Sequence, residues 1–136
     1  IVPLLFARLV MMLGNWTQHS FVDAADPGNL YTSSINCINT VYNSTCWNDG
    51  YHIIHHLRPG MHYTEMPEEF LKRKDEFARN RAIVFDGIHY LHIFTWLLTK
   101  RYDKLAAHIV NIDGKMFSSE EEAIALMRER TRKIPA

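Results

Sequence analysis

The chain opens with a largely apolar run, Ile1 to Leu13, in which Arg8 is the only charged residue. A helix needs about 20 apolar residues to cross the hydrocarbon core of a bilayer, so this run is too short to span it. No small-residue cleavage site follows the run, which disfavours a signal peptide. We interpret it as the second half of a membrane span whose first half precedes Ile1. The alternative is a buried core helix of a soluble protein.

Charge divides the 136 residues into two parts. Residues 1–66 carry two Lys or Arg residues and four Asp or Glu residues, whereas residues 67–136 carry thirteen and eleven. We therefore predict an apolar, histidine-bearing segment over 1–66 and a charged, water-facing helical extension over 67–136. The formal net charge is zero, so nothing in the composition points to a nucleic-acid partner.

Three of the eight histidines stand within five residues, at His52, His55 and His56. On a helix with about 100° per residue, His55 and His56 lie about 60° and about 40° to either side of His52. The three imidazoles therefore point into one volume, broad enough for one metal ion or for two, while Ile53 and Ile54 face the packing side. Neutral imidazole binds iron, zinc and copper well. Core histidines that bond to carbonyl groups are the structural alternative.

A second polar element follows the apolar run. Asn15 and His19 are four residues apart and share one face of a helix. They come just after the apolar residues, at the depth where a membrane helix leaves the hydrocarbon. A polar pair at that depth is costly unless it has partners.

Other motifs of metal and nucleophile chemistry are missing. The sequence has neither the Glu-x-x-His pattern of carboxylate-bridged di-iron bundles nor the His-Glu-x-x-His pattern of zinc proteases. Cys37 and Cys46 do not have zinc-knuckle spacing. His62 is interpreted as a surface residue or a supporting residue of the site. His89 and His92 are three apart, but packing with a hydrogen bond is favoured over metal binding.

The expected secondary structure is helical. Asn48 or Asp49 is a candidate cap for the short helix that carries the three histidines. Overlapping capping boxes at Ser118 and Ser119 predict a final helix. Helices are predicted over residues 1 to about 22, 51–57, 67 to about 85, and 88–110 in one or two pieces.

With these motifs in place, the chain resembles the integral-membrane fatty acid desaturases and their hydroxylase relatives. His52-x-x-His55-His56, followed by Leu57-Arg58-Pro59, is similar to the last histidine box of that family. Asn15-x-x-x-His19 is similar to the Asn and His pair on the helix before that box. The resemblance covers residues 1 to about 67. It implies an all-α fold: the C-terminal part of a helical membrane protein, with a cytosolic helical cap and tail.

The resemblance also implies the chemistry. The iron ligands of a non-haem di-iron centre would be His19, His52, His55 and His56, with Asn15 acting through a water. The enzyme would desaturate or hydroxylate a lipid acyl chain with O2, using electrons from a cytochrome-b-type or ferredoxin donor. Its expected location is the endoplasmic reticulum membrane, with the histidines on the cytosolic side. The family's two earlier histidine boxes are not in the sequence, so the chain is expected to be a fragment, inactive by itself.

Two other functions are compatible with the residues. A soluble hydrolase-like domain would hold one zinc ion on His52, His55 and His56. A non-catalytic peripheral membrane domain would use the apolar stretch Leu91 to Leu98 and the basic segment Lys100 to Lys104.

Overall fold

Helix α1 extends from Val2 to Gln18 in the computed structural model, which describes residues 1–133. Pro3 lies in its first turn, where a missing N–H group costs no hydrogen bond. The side chains from Ile1 to Met12 are exposed, and full burial begins at Thr17. Within residues 1–133, no helix combines the length and the hydropathy that a bilayer-spanning segment requires. The last three residues of the predicted extension, 134–136, lie outside the described residues.

The rest of the described chain is also mainly helical, which confirms the predicted all-α class. Two strands, β1 (Asn36–Ile38) and β2 (Val84–Asp86), form a small parallel sheet. Two 3-10 turns lie at Tyr63–Glu65 and Ile112–Gly114. The remaining helices are α2 (Val41–Thr45), α3 (His52–Leu57), α4 (Met66–Lys72), α5 (Lys74–Arg79), α6 (Tyr90–Leu98), α7 (Tyr102–Ala106) and α8 (Glu120–Arg130).

The helix predicted from residue 67 to about 85 is wrong in its last part. It is divided at Arg73 into α4 and α5, and it ends at Arg79. Arg81 has a φ of 48°, which a helix does not tolerate. The following residues, 82–85, are at most 1% exposed. This run is buried on all sides and rich in β-branched and aromatic residues, so it is better suited to a strand than to an amphipathic helix.

The small sheet separates two hydrophobic clusters. Cys37 and its pairing partner Phe85 belong to one cluster, while Val84 and the partly buried Ile38 belong to the other. This follows from the alternation of side chains along a strand. Both clusters combine residues from before and after position 67. The division of the chain into a histidine-bearing segment over 1–66 and a charged extension over 67–136 remains a prediction.

Strand β1 fixes the beginning of α3. The Cys37 amide donates to the Gly50 carbonyl at 2.7 Å, and the Ile53 amide donates to Oδ1 of Asn36 at 2.9 Å. The buried Asn43 side chain completes the junction, because its Nδ2 donates to the Cys37 carbonyl and its Oδ1 accepts from the Gly50 amide, both at 2.9 Å. Buried polar groups are costly unless paired, so these bonds hold the histidine helix in one place.

Replacing Gly50 with alanine should destabilise this junction. A Cβ atom there would lie 2.2 Å from Oδ1 of Asn43 and 2.3 Å from the Cys37 carbonyl oxygen. Forcing an extra methyl group into a packed site costs about 1–3 kcal/mol. Gly60→Ala is the matched control, since its Cβ meets nothing within 4 Å. Denaturant midpoints should fall for Gly50→Ala and stay near the original value for Gly60→Ala. Equal midpoints for the two variants would contradict this account.

Candidate metal centre

The first residue of the site lies at the end of α1. His19 is the C-terminal cap of the helix, directly after the buried Thr17 and Gln18. Its Nδ1 is 2.7 Å from the backbone carbonyl oxygen of Ser33. Because a carbonyl oxygen only accepts, Nδ1 must carry the hydrogen. The lone pair of neutral His19 is therefore on Nε2, which is left to bind a ligand.

Helix α3 supplies two more imidazoles. Ile53 and Ile54 are fully buried and fix the orientation of the helix, as the sequence predicted. His52 and His56 are on the side that faces the end of α1, and their ring centroids are 4.8 Å apart. The centroid of His19 lies 5.2 Å from that of His52 and 5.1 Å from that of His56. The fold thus brings together histidines that are more than thirty positions apart.

The ring nitrogens of these three residues converge. One nitrogen each from His19, His52 and His56 lies within 4.8 Å of the others. Nitrogens that share one ion at about 2.1 Å are at most about 4.2 Å apart, so the observed separation is close to that of a metal site. Within residues 1–133, no other group of three His, Cys, Asp or Glu residues converges in this way.

The hydrogen bonding of the cluster is consistent with a bound cation. Nε2 of His56 and Nδ1 of His52 are buried and have no hydrogen-bond partner among the described residues. A buried polar atom without a partner costs about 1–3 kcal/mol, so such atoms need an explanation. A cation coordinated by the imidazoles would compensate for the partner that Nε2 of His56 lacks, and the donor set is one that iron and zinc accept.

The environment of the cluster keeps His56 neutral. Burial, followed by the neighbouring rings of His52, His19 and His55, lowers the pKa of His56 from 6.5 to about 4. The protonated form of His56 is therefore rare near neutral pH. Burial and the neighbouring imidazole rings both lower its pKa. A neutral imidazole retains the lone pair that coordination requires.

Asp49 is part of the site, although sequence reasoning treated it only as a helix cap. Its Oδ2 accepts hydrogen bonds from Nε2 of Gln18 at 3.0 Å and from the hydroxyl of Tyr42 at 2.7 Å. Its Oδ1 lies 3.6 Å from Nδ1 of His52, an ion-pair distance that is too long for a hydrogen bond. The hydroxyl of Tyr90 donates to its backbone carbonyl at 2.9 Å. Asp49 therefore links α1, α2 and α6 to the first histidine of α3.

The Asp49 carboxylate is charged near neutral pH. Burial raises its pKa, but the contact with His52 and the hydrogen bond from Tyr42 outweigh burial and hold the pKa below its ordinary value. Metal-binding histidines commonly have a carboxylate close to their second ring nitrogen, which orients the ring and raises its basicity. The signal in the sequence was the three-residue spacing between Asp49 and His52, one helical turn. The cap prediction was wrong, because α3 begins without a side-chain cap.

Two of the predicted ligands are outside the convergent group. His55 is exposed, with its ring centroid 5.7 Å from that of His52 and 5.8 Å from that of His56. Asn15 is exposed on the last turn of α1, where its backbone carbonyl accepts from the His19 amide at 3.3 Å. The Asn15 side chain forms none of the hydrogen bonds found among the described residues. The roles of His55 and Asn15 as ligands remain predictions.

The other histidines have local structural roles. Nδ1 of His89 accepts from the Leu91 amide at 3.3 Å, and Nδ1 of His92 accepts from the His89 amide at 3.4 Å. Together they cap the beginning of α6. These two ring nitrogens are engaged with the backbone, and the preference for packing and hydrogen bonding over metal binding remains a prediction. His62 is exposed at the surface, in contact with Thr64.

The sequence of this segment also matches a known protein family. A family model described as fatty acid desaturase matches residues 1–87, which is more than half of the chain. The chain therefore belongs to the fatty acid desaturase family, as the histidine motifs predicted. No curated protein and no solved structure gives a significant match. The matched segment contains every member of the convergent group as well as Asp49, and it ends before α6.

We expect Asp49→Asn to weaken metal binding. The amide retains the size of the carboxylate and can still accept from Gln18 and Tyr42, but it lacks the negative charge near His52. Loss of such a supporting carboxylate typically costs about 10–100-fold in metal affinity. Titration of the detergent-solubilised chain with Fe²⁺ or Co²⁺ measures the change. Asp26→Asn, at an exposed loop position, is the control and should bind like the original chain. Equal affinities for the two variants would exclude this role for Asp49.

Proposed function

We propose that this chain contributes ligands to the non-haem di-iron centre of a membrane-bound oxygenase that desaturates or hydroxylates lipid acyl chains. The observation that supports this most directly is the convergence of His19, His52 and His56 inside the segment that matches the desaturase family. Membership of the family accounts for the class of reaction. The convergent nitrogens account for where in the chain a metal would be held.

The proposed ligand set is larger than the convergent group. His19, His52 and His56 would hold one iron, and His55, on the exposed side of the same helix, would hold the second. Asn15 is one helical turn before His19 and would act through a water. When bound, the iron pair supplies the oxidising power with which O2 removes hydrogen from an unactivated C–H bond of the acyl chain.

The residues of the chain bind, orient and shield this chemistry. The buried Ile53 and Ile54 keep the histidine helix from turning. The Ser33 carbonyl and the Asp49 carboxylate favour particular ring orientations for His19 and His52. A site that attacks aliphatic C–H bonds depends on such fixed geometry and on the exclusion of water.

The course of α1 suggests how an acyl substrate approaches. The exposed apolar side chains of residues 1–12 precede His19 by only two helical turns. An acyl chain that lies among lipids would therefore approach the site from its apolar side. A cytochrome-b-type or ferredoxin donor would deliver electrons from the aqueous side. We place the protein in the endoplasmic reticulum membrane, with the histidines facing the cytosol.

A single zinc site is the second candidate. Catalytic zinc uses three protein ligands and keeps one position open, and the convergent group has three histidines. This candidate predicts zinc in the purified protein and a hydrolytic reaction that needs neither O2 nor an electron donor. The di-iron proposal predicts iron in the purified protein and, in the enzyme to which the chain contributes ligands, product formation that depends on O2 and on an electron donor.

Alanine substitutions separate the proposed ligands from other histidines. His56→Ala should reduce the iron bound by the purified protein at least about tenfold, because it removes one of three converging donors. His55→Ala should have a smaller effect on the first iron, since His55 is outside the convergent group. His62→Ala is the control and should retain iron. Elemental analysis after anaerobic loading with Fe²⁺ gives the iron-to-protein ratio.

Two results would count against the proposal. In one, His56→Ala retains as much iron as His62→Ala, which would mean that iron binds elsewhere. In the other, the protein purifies with zinc, excludes iron and hydrolyses a substrate under anaerobic conditions, which would favour the zinc candidate.

A further inference from the structure

Helix α6 presents an apolar stripe to the outside of the molecule. Leu91 and Leu98 are 64% and 62% exposed, and Phe94 between them is partly exposed. These positions are spaced three and four residues apart, so they form one face of the helix. A different face, with Tyr90 and Ile93, is buried in the core. Leu91 and Leu98 are therefore largely free of packing contacts with the described residues.

The polar groups on this face are satisfied inside the helix. The Thr95 hydroxyl donates to the Leu91 carbonyl, and the Thr99 hydroxyl donates to the Thr95 carbonyl at 2.7 Å. Threonine hydroxyls bonded in this way leave no donor that needs water. The face is consequently more apolar than its composition suggests.

The stripe continues onto α1. The rings of Phe94 and Trp16 meet edge to face, with centroids 5.7 Å apart. Trp16 is 49% exposed and follows the exposed apolar side chains of residues 1–12. Two exposed apolar surfaces thus join at an aromatic pair, and tryptophan is enriched where proteins meet the membrane–water interface.

Basic residues flank the end of α6. Lys100 and Lys104 are exposed, and among residues 1–133 neither forms an ion pair. The Lys104 ammonium group is 5.7 Å from the centroid of the Trp96 ring. Arg101, in contrast, is paired with Asp103 at 2.6 Å. Two positive charges without an ion-pair partner among the described residues therefore follow the C-terminal end of α6, an arrangement that suits anionic lipid headgroups.

We propose that α6 lies flat in the headgroup region of a bilayer, with Leu91, Phe94 and Leu98 directed into the lipid, an inference that rests on the membrane location given under the proposed function. The occupant of the exposed stripe is a membrane surface containing anionic lipid. This helix lies outside the segment that matches the desaturase family, and the inference does not depend on metal. It assigns the extension after residue 87 a role in setting the position of the histidine site relative to the membrane surface.

The test measures the environment of single fluorescent labels in the full chain reconstituted into nanodiscs. Leu91→Cys and Leu98→Cys are each made with Cys46→Ala, because Cys46 is only partly buried whereas Cys37 is buried. Leu71→Cys in the same background is the control, since Leu71 is 57% exposed on α4. Each label is quenched in turn by a headgroup-level nitroxide lipid and by aqueous iodide. We expect lipid quenching at positions 91 and 98 and iodide quenching at position 71.

Labels at 91 and 98 that iodide reaches as easily as the label at 71 would overturn the proposal. Labels protected from both quenchers would also overturn it, because a protein partner would then cover the stripe. Addition of His56→Ala should leave the quenching pattern unchanged, which separates this result from the fate of the metal site.

The two lysines provide the test of headgroup charge. The measured quantity is the ratio of label in contact with lipid to label exposed to water. On nanodiscs with phosphatidylserine, Lys100→Gln and Lys104→Gln should each lower this ratio roughly fivefold. On discs of phosphatidylcholine alone, the two substitutions should have little effect. An equal effect on both lipids would contradict the preference for anionic lipid.

Discussion

Two hydrogen bonds from β1 hold the first turn of α3, and the histidine geometry depends on them. The Cys37 amide and the Asn36 side chain bind the chain on either side of Tyr51, so that α3 begins at a fixed position and in a fixed direction. A six-residue helix is too short to be stable by itself. Its two buried isoleucines and its attachment to the sheet replace the stability that length would give. The imidazoles are then carried by an element that has little freedom to rotate.

The second half of the chain supports this arrangement from a distance. Strand β2 pairs with β1 and lies between the two hydrophobic clusters, so residues after position 80 stabilise the strand that fixes α3. Tyr90, at the beginning of α6, donates to the backbone of Asp49. The charged extension is thus connected to the segment that carries the histidine cluster through buried contacts, and α6 links that same contact to the surface proposed to meet lipid.

The sequence predicted the elements whose signals are local. The spacing of His52, His55 and His56 indicated a helix whose rings share one volume, and the structure places His52 and His56 in that way but leaves His55 exposed. Ser119 caps the last helix with its side chain, as the capping box predicted. The strand at 84–86 could not be predicted in the same way. A short apolar run is compatible with either a helix or a strand. Its pairing with residues almost fifty positions earlier depends on the tertiary fold, which local sequence does not reveal. The contacts of Asp49 with the rest of the fold were hidden for a related reason. Its partners Gln18, Tyr42 and Tyr90 come from three separate helices, and no spacing rule connects them.

The carbonyl that orients His19 belongs to the backbone of Ser33 and not to its side chain. Every residue type carries that oxygen, so substitution at position 33 leaves the acceptor in place. What the site requires from the segment between α1 and β1 is its path and length. An insertion or deletion there would displace the acceptor and release the imidazole, whereas a change of side chain at position 33 would not. Position 33 is therefore free to vary in residue type while the number of residues in the segment is held constant.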